Sequence, residues 1–548
     1  MALKFRFIPI YRKSAATFLI DLLLLIFVAW VWGVYDYDVD PAPTALWTLL
    51  ELGALWFILR ILLAILPRIR DLLTLALVLW AVIEGIWGIG QLWGWLAPGH
   101  ALFRTTGSFF NSGPYGGFLA TLFPLILHLW IRSHKRGAKI DSYITLIAGG
   151  VLILILPATL SRTAWIAAIA SSVWVLYHDT SIFTGLRELA QKYPKRASAT
   201  TALAILLIVG AGIGAIRLKQ QSADGRILLW KTTLTAIRQA PINGVGLGGF
   251  PAAYGEGQSY RYRSGLMTEH EIAVAGSPEY AFNEYLRIFL EEGAIGGILF
   301  LMITLCILWI GRRNDRIGLS GSFLALSIFA LASYPYSLWQ FCILWIILGA
   351  LSLSSWTGRS SSYFWLLACI PFLIVVYYAE SAKHPYRLAE QEWHLRRLPH
   401  VGTPSEGTLN WYQSLYPQLK HNSRFIFDYG MVLNRAKLYA TADSALARGM
   451  EISCDPMFLN VRGRNAHENG RYEDADTHYH SSIALLPGRV YPYYLLVRLY
   501  ADSAYYHPRR LREVADSVML IEPKVHSPAV LQMRREVRSI LQKLKTDE

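Results

Sequence analysis

Long apolar segments alternate with short polar ones from the N-terminus to about Glu380. About eleven of these segments approach the roughly 20 apolar residues that a membrane-spanning helix needs. The predicted spans are about 15–34, 44–66, 72–96, 114–130, one ending near 160, one ending near 177, 201–216, 283–310, two that flank 334–336, and 363–378. From Ser381 onward the apolar residues recur at intervals instead, which predicts soluble amphipathic helices.

Lysine and arginine are distributed unevenly among the connections between these spans. They occur before the first span and in every even-numbered connection, whereas the short odd-numbered connections contain only Arg104 and Arg162. Cytoplasmic loops carry the excess of basic residues, so this pattern predicts a cytoplasmic N-terminus. Eleven spans would then place the long connection 217–281 and the region 381–548 on the outer side.

Composition agrees with a membrane protein. Only 16% of the residues are charged and 54% are hydrophobic, whereas soluble domains contain about 25% charged residues. The net charge of +14 raises the question of nucleic acid, but the basic residues lie between apolar segments and form no known nucleic-acid module. We therefore predict no nucleic-acid partner. Cys454 is alone in the C-terminal region, so that region has no internal disulfide.

The C-terminal region carries a weak internal repeat. The interval from Gly430 to Gly463 nearly equals the interval from Pro487 to Pro523. Together with the residues around Gly463, this spacing matches the tetratricopeptide pattern, in which a helix pair repeats about every 34 residues. A plain helical bundle is the alternative. Stacked helix pairs form a concave surface that suits another protein, so a protein partner is predicted here.

The long polar connection 217–281 contains two local patterns. An amphipathic helix is predicted to begin at Arg226 and to end before Pro241, and it would lie at the membrane surface. Its apolar stripe consists of Ile227, Trp230, Leu234 and Ile237. The glycine-rich turn 244–249 lacks the strand and helix of a dinucleotide site. It is predicted to let the chain approach a neighbouring helix or the bilayer closely.

Four arginines on the outer side are candidates for binding phosphate, because guanidinium stays charged and binds phosphate bidentately. They are Arg104, Arg162, Arg226 and Arg238. Arg162 stands in a very short turn between two spans, where charge is costly and usually functional. Two of them also have a simpler interpretation, since Arg162 could extend to lipid headgroups and Arg104 could simply be solvated in its loop.

Candidates for proton transfer cluster around the start of the predicted eighth span. They are His270, Glu279, Asn283 and Glu284. Spacing predicts that Glu279, Asn283 and Arg287 share one helix face, although an acidic residue at a helix start can serve only as a cap. The sequence shows no nucleophilic triad and no metal-ligand spacing, so neither a metal nor a cofactor is predicted.

Five segments, taken together, resemble the O-antigen ligase and polymerase superfamily, which includes bacterial O-linked oligosaccharyltransferases. They are TGSFFNSGPYGGFLATLFPL (106–125), LSRTAW (160–165), GRILLW (225–230), APINGVGLGGF (240–250) and FNEYLRIFLEEGAIGG (282–297). The C-terminal region is similar to that of Bacteroidetes-type members, which carry a tetratricopeptide-like domain. The resemblance covers most of the membrane part in the same order.

This resemblance implies an all-α, polytopic, GT-C-like membrane fold in residues 1–380 and a helical domain in 381–548. It also implies a metal-independent, inverting glycosyltransferase of the bacterial inner membrane whose C-terminal domain is periplasmic. Such an enzyme moves a glycan from undecaprenyl diphosphate to a hydroxyl, and Arg162 and Arg226 would bind the diphosphate. Phe282-Asn283 is a departure, because the family's ligases have a histidine at the first of these positions. Glu284, Glu279 and His270 are then the candidate bases.

The sequence leaves several functions open. The acceptor could be a protein, a lipid A core or a growing polysaccharide, the last of which would make the chain a polymerase. A transporter of lipid-linked glycan is a second class, for which Glu51, Arg60 and Glu84 are candidate intramembrane charges. An assembly scaffold built on the C-terminal domain is a third.

Overall fold

The computed structural model describes 7–40, 43–66, 68–194, 220–354, 369–397, 402–523 and 527–547. Every regular element in these ranges is a helix, as the sequence predicts. The predicted seventh span, 201–216, and the first part of the eleventh, 363–368, lie outside the described residues.

The membrane part contains most of the long apolar helices. They are α1 (Phe7–Val34), α2 (Pro43–Ile65), α3 (Arg68–Leu92), α4 (Ser112–Lys135), α5 (Lys139–Ile155), α6 (Arg162–Asp179) and α7 (Ile182–Lys192). Among the described residues, six helices are long and apolar enough to cross a membrane, or seven if α6 and α7, which meet at 84°, form one span. Two shorter apolar helices follow later. A multi-pass membrane protein is confirmed, while the count of eleven spans stays a prediction.

The remaining helices belong to the outer connection, the last spans and the C-terminal region. They are α8 (Gln220–Ile237), α9 (Phe250–Arg263), α10 (Glu269–Val274), α11 (Glu284–Glu291), α12 (Gly293–Arg313), α13 (Ile317–Ala330), α14 (Trp339–Leu353), α15 (Ile370–Arg396), α16 (Glu406–Leu419), α17 (Ser423–Arg435), α18 (Tyr439–Ile452), α19 (Met457–Glu468), α20 (Tyr472–Leu485), α21 (Val490–Tyr500), α22 (Pro508–Leu520) and α23 (Pro528–Asp547).

Helix α4 is the centre of the membrane part. It packs against α3, α5, α6 and α13, and small residues on its surface let these neighbours approach closely, as is usual in membrane helices. Gly117 faces the ring of Phe329 on α13, and Gly116 faces Thr159 in the turn before α6. This close packing fixes the start of α6, where Arg162 lies, relative to the rest of the bundle.

The ionisable residues named for a transporter have separate partners. Glu84 accepts hydrogen bonds from the backbone and side chain of Ser108, at 3.0 and 2.6 Å. Arg60 pairs with Asp21 at 3.2 Å, and Glu51 pairs with Lys383. These contacts hold loops and helices together at three different places.

The predicted eighth span is broken, which corrects the sequence interpretation. A short helix, α11, ends at Glu291, and the spanning helix α12 begins at Gly293. Gly293 has a φ of +66°, a conformation that glycine adopts easily and other residues do not. Apolar periodicity runs through this point, so the pattern gave no sign of the break.

The glycine-rich turn packs directly on this break, so of the two predicted neighbours, a helix or the bilayer, the described contacts are with a helix. Val245 N–H donates to Leu290 O at 3.0 Å, Gly246 N–H donates to Glu291 O at 2.8 Å, and Ala294 N–H donates to Pro241 O at 2.9 Å. These bonds occupy carbonyl and amide groups that a helix end leaves free. A Cβ on Gly244 or on Gly293 would overlap the backbone of the other segment.

Helix α8 differs in detail from the predicted amphipathic helix. It includes Gln220, so Arg226 lies inside the helix and not at its start. Ile227 and Leu234, from the predicted stripe, are exposed. The face that is buried consists of Leu228, Leu229, Thr232, Thr233 and Ala236. The exposed pair remains available for the membrane surface.

The C-terminal helices pack as antiparallel pairs with a repeated contact. In α17–α18, Gly430 lies against Leu446, and in α19–α20, Gly463 lies against Tyr479. Gly463 follows Gly430 by the same number of residues as Tyr479 follows Leu446. Helix α15 runs without interruption from Ile370 to Arg396, across the predicted boundary at residue 380. The domain boundaries and the tetratricopeptide assignment therefore stay predictions.

The C-terminal region contacts two connections that the sequence predicts to lie on the outer side. His421 pairs with Asp40 in the loop between α1 and α2 at 3.0 Å, and Arg448 donates to Asp38 O at 3.2 Å. Arg424 pairs with Glu279 in the long connection at 2.7 Å. These contacts require both connections and the C-terminal helices to lie on the same side of the membrane.

We predict that Gly463→Ala destabilises the C-terminal helices. The new Cβ would overlap the fully buried Tyr479 ring, and overpacking of this kind costs about 1–3 kcal/mol. Limited proteolysis and thermal unfolding of the purified full chain measure the effect. Gly407→Ala, on α16 with only an ordinary contact near its Cβ, is the control. Equal stability of the two variants would contradict the close contact.

Candidate active site

Arg162 and Arg226 lie next to each other, although they are far apart in sequence. Arg162 is the first residue of α6. Arg226 extends from α8 and its Nη1 donates to Thr163 Oγ1, one position further along α6, at 3.4 Å. The turn before α6 is tight, since Leu160 adopts a φ of +50°. Two arginines predicted to bind one diphosphate are therefore neighbours.

The guanidinium of Arg226 is partly removed from water. Its side chain is half-buried, and burial followed by the positive charge of Arg162 lowers the pKa of its guanidinium below the usual value. No described carboxylate forms an ion pair with Arg226. A buried charge without an opposite partner is unfavourable, so a bound anion would stabilise this arrangement.

Aromatic rings form the other wall around Arg226. Its guanidinium lies 5.3 Å from the ring centre of Phe282, a distance that allows a cation–π interaction. Phe282 packs edge-on against Tyr334 with ring centres 5.0 Å apart. Tyr334 stacks on Tyr280 at 4.5 Å. The rings come from two segments, the end of the long connection and the loop between α13 and α14.

Phe282 occupies the place where the resembling family has a histidine, and its backbone is unusual. Its φ is +50°, a conformation that costs a bulky residue of order 1–3 kcal/mol and persists only where the surroundings enforce it. The ring packs against the cluster that contains Leu229 and Phe250. Phe282 thus places an apolar ring next to the guanidinium of Arg226, and its side chain cannot accept a proton.

Beneath these residues lies a buried group of charges. Arg287 Nε donates to Glu284 Oε2 at 2.6 Å, and its Nη1 donates to Glu291 Oε2 at 2.7 Å. Glu284 Oε1 accepts the backbone N–H of Tyr336 at 2.9 Å. The Glu284 side chain is only 1% exposed, and both of its oxygens are engaged. The geometry favours a positioning role for Glu284, because its carboxylate fixes α11 against the loop that carries Tyr334.

The predicted shared helix face of Glu279, Asn283 and Arg287 is wrong. Helix α11 begins only at Glu284, so Glu279 lies in the preceding loop, where it is exposed and pairs with Arg424. Asn283 caps the helix, since its side chain accepts the N–H of Leu286 at 3.1 Å. A polar residue that caps a helix start is a common arrangement, and here capping explains the asparagine.

His270 lies at the start of α10 and is exposed. Its Nε2 is 3.1 Å from Asp224 Oδ2, and Asp224 stands two positions before Arg226 on α8. A carboxylate beside an imidazole can orient the ring for proton transfer. Of the four residues named for proton transfer, His270 is the one that combines exposure with an orienting carboxylate.

The two other predicted arginines are both exposed to solvent. Arg104 is exposed in the loop before α4, and Arg238 is exposed just after α8 ends. With a rise of about 1.5 Å per residue, Arg238 is displaced from Arg226 by about 18 Å along the helix axis. In the described part of the chain neither forms a hydrogen bond or an ion pair.

A cavity of about 260 Å³ opens beside α8. It is lined by Gly225, Leu228, Leu229, Tyr254, Val274, Gly276, Ser277 and Pro278. Gln258 holds its rim, because the Gln258 amide donates to Gly276 O at 3.2 Å and to Leu485 O in the C-terminal region at 2.6 Å. The cavity lining therefore includes the residue before Arg226, and one of its glycines shares the Gln258 amide with the C-terminal region.

Sequence reasoning missed Tyr334 and Asn111 at this site. Asn111 Nδ2 donates to Tyr334 Oη at 3.4 Å, and these residues belong to connections that no single motif joins. The sequence named Tyr334-Pro335-Tyr336 only as a break between spans. A conspicuous polar and aromatic interruption between apolar segments was the available signal.

One known protein family matches part of the chain. Residues 147–301 match the family model described as O-Antigen ligase, and no curated protein sequence matches the chain. The matched segment contains Arg162, Arg226 and Phe282, while Tyr334 and the C-terminal helices lie outside it. On this evidence the site is built largely by a segment similar to O-antigen ligases, which supports placing the chain in the O-antigen ligase and polymerase superfamily.

Proposed function

We propose that the chain transfers a preassembled glycan from undecaprenyl diphosphate to a hydroxyl acceptor. The observation that carries the proposal is the half-buried Arg226, which lacks a carboxylate partner among the described residues and lies beside Arg162 on a segment that matches the O-antigen ligase family. Glycan transfer releases a lipid diphosphate. Two neighbouring guanidinium groups suit that anion, since each can form paired hydrogen bonds with phosphate oxygens.

The reaction needs no metal in this proposal. The acceptor oxygen attacks the anomeric carbon while the bond from that carbon to the diphosphate oxygen breaks, and the anomeric configuration inverts. Negative charge grows on the departing diphosphate. Arg162 and Arg226 would stabilise this charge, and a site that is already arranged around developing charge lowers the barrier most effectively.

The acceptor hydroxyl must also lose a proton. We propose that His270 receives it, with Asp224 orienting the imidazole, because His270 is exposed and its partner Asp224 precedes Arg226 by two positions on α8. Glu284 was the first candidate from the sequence. Its burial and its two occupied oxygens support a role in holding α11 and the Tyr334 loop instead.

We propose a protein as the acceptor and the periplasm as the compartment. The C-terminal helices contact the long connection through Arg424, Leu485 and Cys454, so a protein bound to them would lie close to the arginines. Polysaccharide polymerisation is the alternative within the same superfamily. Purified chain, lipid-linked glycan and each acceptor class in turn would distinguish the two activities.

Removal of either arginine should slow transfer strongly. We expect Arg162→Ala and Arg226→Ala to reduce the single-turnover rate by about 10²–10³-fold, the usual loss for one group that stabilises developing charge. Lysine should restore only part of the rate, because an ammonium lacks the planar fork. Transfer from lipid-linked glycan in detergent or nanodiscs measures the rate. Arg238→Ala is the comparison and should remain near the native rate.

Two outcomes would separate the parts of this assignment. A native rate in both arginine variants would rule out the diphosphate site while leaving the activity intact. Absence of transfer by the native chain, with all acceptor classes and a folded preparation, would refute the proposed activity itself.

The two base candidates should behave differently. We expect His270→Ala to slow transfer by about 10²–10⁴-fold, the usual contribution of a positioned base, without a change in thermal stability. Glu284→Gln should lower both the rate and the unfolding temperature, since weakening a buried ion pair costs about 3 kcal/mol. Rates are measured under single turnover and stability by thermal unfolding. If the Glu284→Gln variant transferred slowly but unfolded at the native temperature, Glu284 would be the base.

Orientation can be tested with reporters fused after Glu548. The contacts between the C-terminal helices and two outer connections, together with the distribution of basic residues, lead us to expect an active periplasmic alkaline phosphatase and a non-fluorescent cytoplasmic reporter. Fusions in the basic connection after α4, at Gly137, should give the reverse result. A cytoplasmic signal from the C-terminal fusion would contradict the proposed compartment.

A further inference from the structure

The loop between α13 and α14 brings a tyrosine to the arginines. Tyr334 lies in this loop, beyond the segment that matches the O-antigen ligase family and beyond every predicted site residue. The loop is held by Glu284, whose carboxylate accepts the backbone N–H of Tyr336. The position of Tyr334 is therefore set by the same buried charges that hold α11.

Contacts on two sides fix the ring of Tyr334. Tyr280 stacks on it with ring planes 7° apart, and Phe282 meets it edge-on at 78°. The residue is 5% exposed. With its ring held in this way, the hydroxyl has one position, and only rotation of the O–H bond remains free.

Hydrogen bonding determines which way the hydroxyl proton points. Asn111 caps α4, and its Oδ1 accepts the N–H of Gly113 at 2.8 Å. The amide must therefore face Tyr334 with its NH₂ group, which donates to Tyr334 Oη at 3.4 Å. The phenol oxygen is the acceptor in this bond, so its own proton is available. None of the described residues accepts a hydrogen bond from it.

The hydroxyl of Tyr334 carries its proton at neutral pH, so it can donate a hydrogen bond. Burial, and then the neighbouring Tyr280, raise the pKa of Tyr334 to about 12, while Arg226 and the Asn111 hydrogen bond act in the opposite direction. The phenol stays protonated at neutral pH. A protonated phenol beside an arginine can stabilise an anion but cannot compensate the arginine's charge.

We infer that the hydroxyl of Tyr334 donates a hydrogen bond to the diphosphate of the glycan donor, next to Arg226. This inference rests on the proposed function. As the bond between the anomeric carbon and the diphosphate breaks, negative charge moves onto the diphosphate and the hydrogen bond becomes stronger. Tyr334 keeps its proton throughout, and the proton of the acceptor hydroxyl leaves through the base. Tyr334 is then a catalytic residue that the matched family segment does not contain.

The test compares Tyr334→Phe with Tyr336→Phe in the purified full chain. Tyr334→Phe keeps the ring and both ring contacts and removes only the hydroxyl. Tyr336 belongs to the same loop, but its side chain points into the apolar core against Phe300 and its buried hydroxyl has no described partner. Single-turnover transfer, the donor concentration at half-saturation and thermal unfolding are measured for both, with undecaprenyl-diphosphate-linked glycan as the probe.

We expect Tyr334→Phe to lower the transfer rate by about 10- to 100-fold, as loss of a hydrogen bond to a charged group does. Because the bond strengthens as charge develops, the rate should fall more than donor affinity. Tyr336→Phe should transfer at the native rate. The unfolding temperatures of both variants should equal that of the native chain.

Three results would overturn the inference. A native rate in Tyr334→Phe, together with a slow Arg226→Ala, would exclude Tyr334 while leaving the proposed function in place. A rate loss that is accompanied by a lower unfolding temperature in Tyr334→Phe but not in Tyr336→Phe would show a structural role. Failure of the native chain to transfer glycan would remove the inference together with the proposed function.

Discussion

The arrangement of the site depends on the backbone contact between Gly244 and Gly293. Both residues have positive φ angles, and each lies so close to the other segment that any side chain would overlap backbone. The contact lets the glycine-rich turn bond to the end of α11 and the start of α12. It therefore turns a continuous apolar segment into a short helix and a spanning helix, and the short helix carries Glu284 and Arg287 behind its cap, Asn283.

The carboxylates near this break and the guanidinium of Arg226 lie in different surroundings. The carboxylates of α11 and the following residue are buried, and Glu284 and Glu291 bind Arg287. Arg226 instead meets the ring of Phe282 and the hydroxyl of Thr163. Carboxylates close to Arg226 would satisfy its charge and compete with any anion. They are engaged elsewhere, and none of the described carboxylates pairs with Arg226.

The C-terminal helices pack against the membrane part. They bind the connection between α1 and α2 through His421 and the long connection through Arg424 and Leu485. Helix α15 joins them to the membrane part without a break. Through the pair of Arg424 with Glu279, the C-terminal helices therefore contact the loop that carries Tyr280 and Phe282.

The sequence by itself determined the helical class, the alternation of apolar and basic segments and the glycine-rich turn, because each follows from local composition. It also named Arg162 and Arg226, since a charge between apolar segments is conspicuous. The break at Gly293, the capping by Asn283 and the burial of Glu284 were decided by tertiary contacts. Periodicity records which residues are apolar, and it cannot record which backbone will pack against a helix or which carboxylate an arginine will bind. Tyr334 and Asn111 came together only in the folded chain, because a long stretch of sequence and several helices separate them.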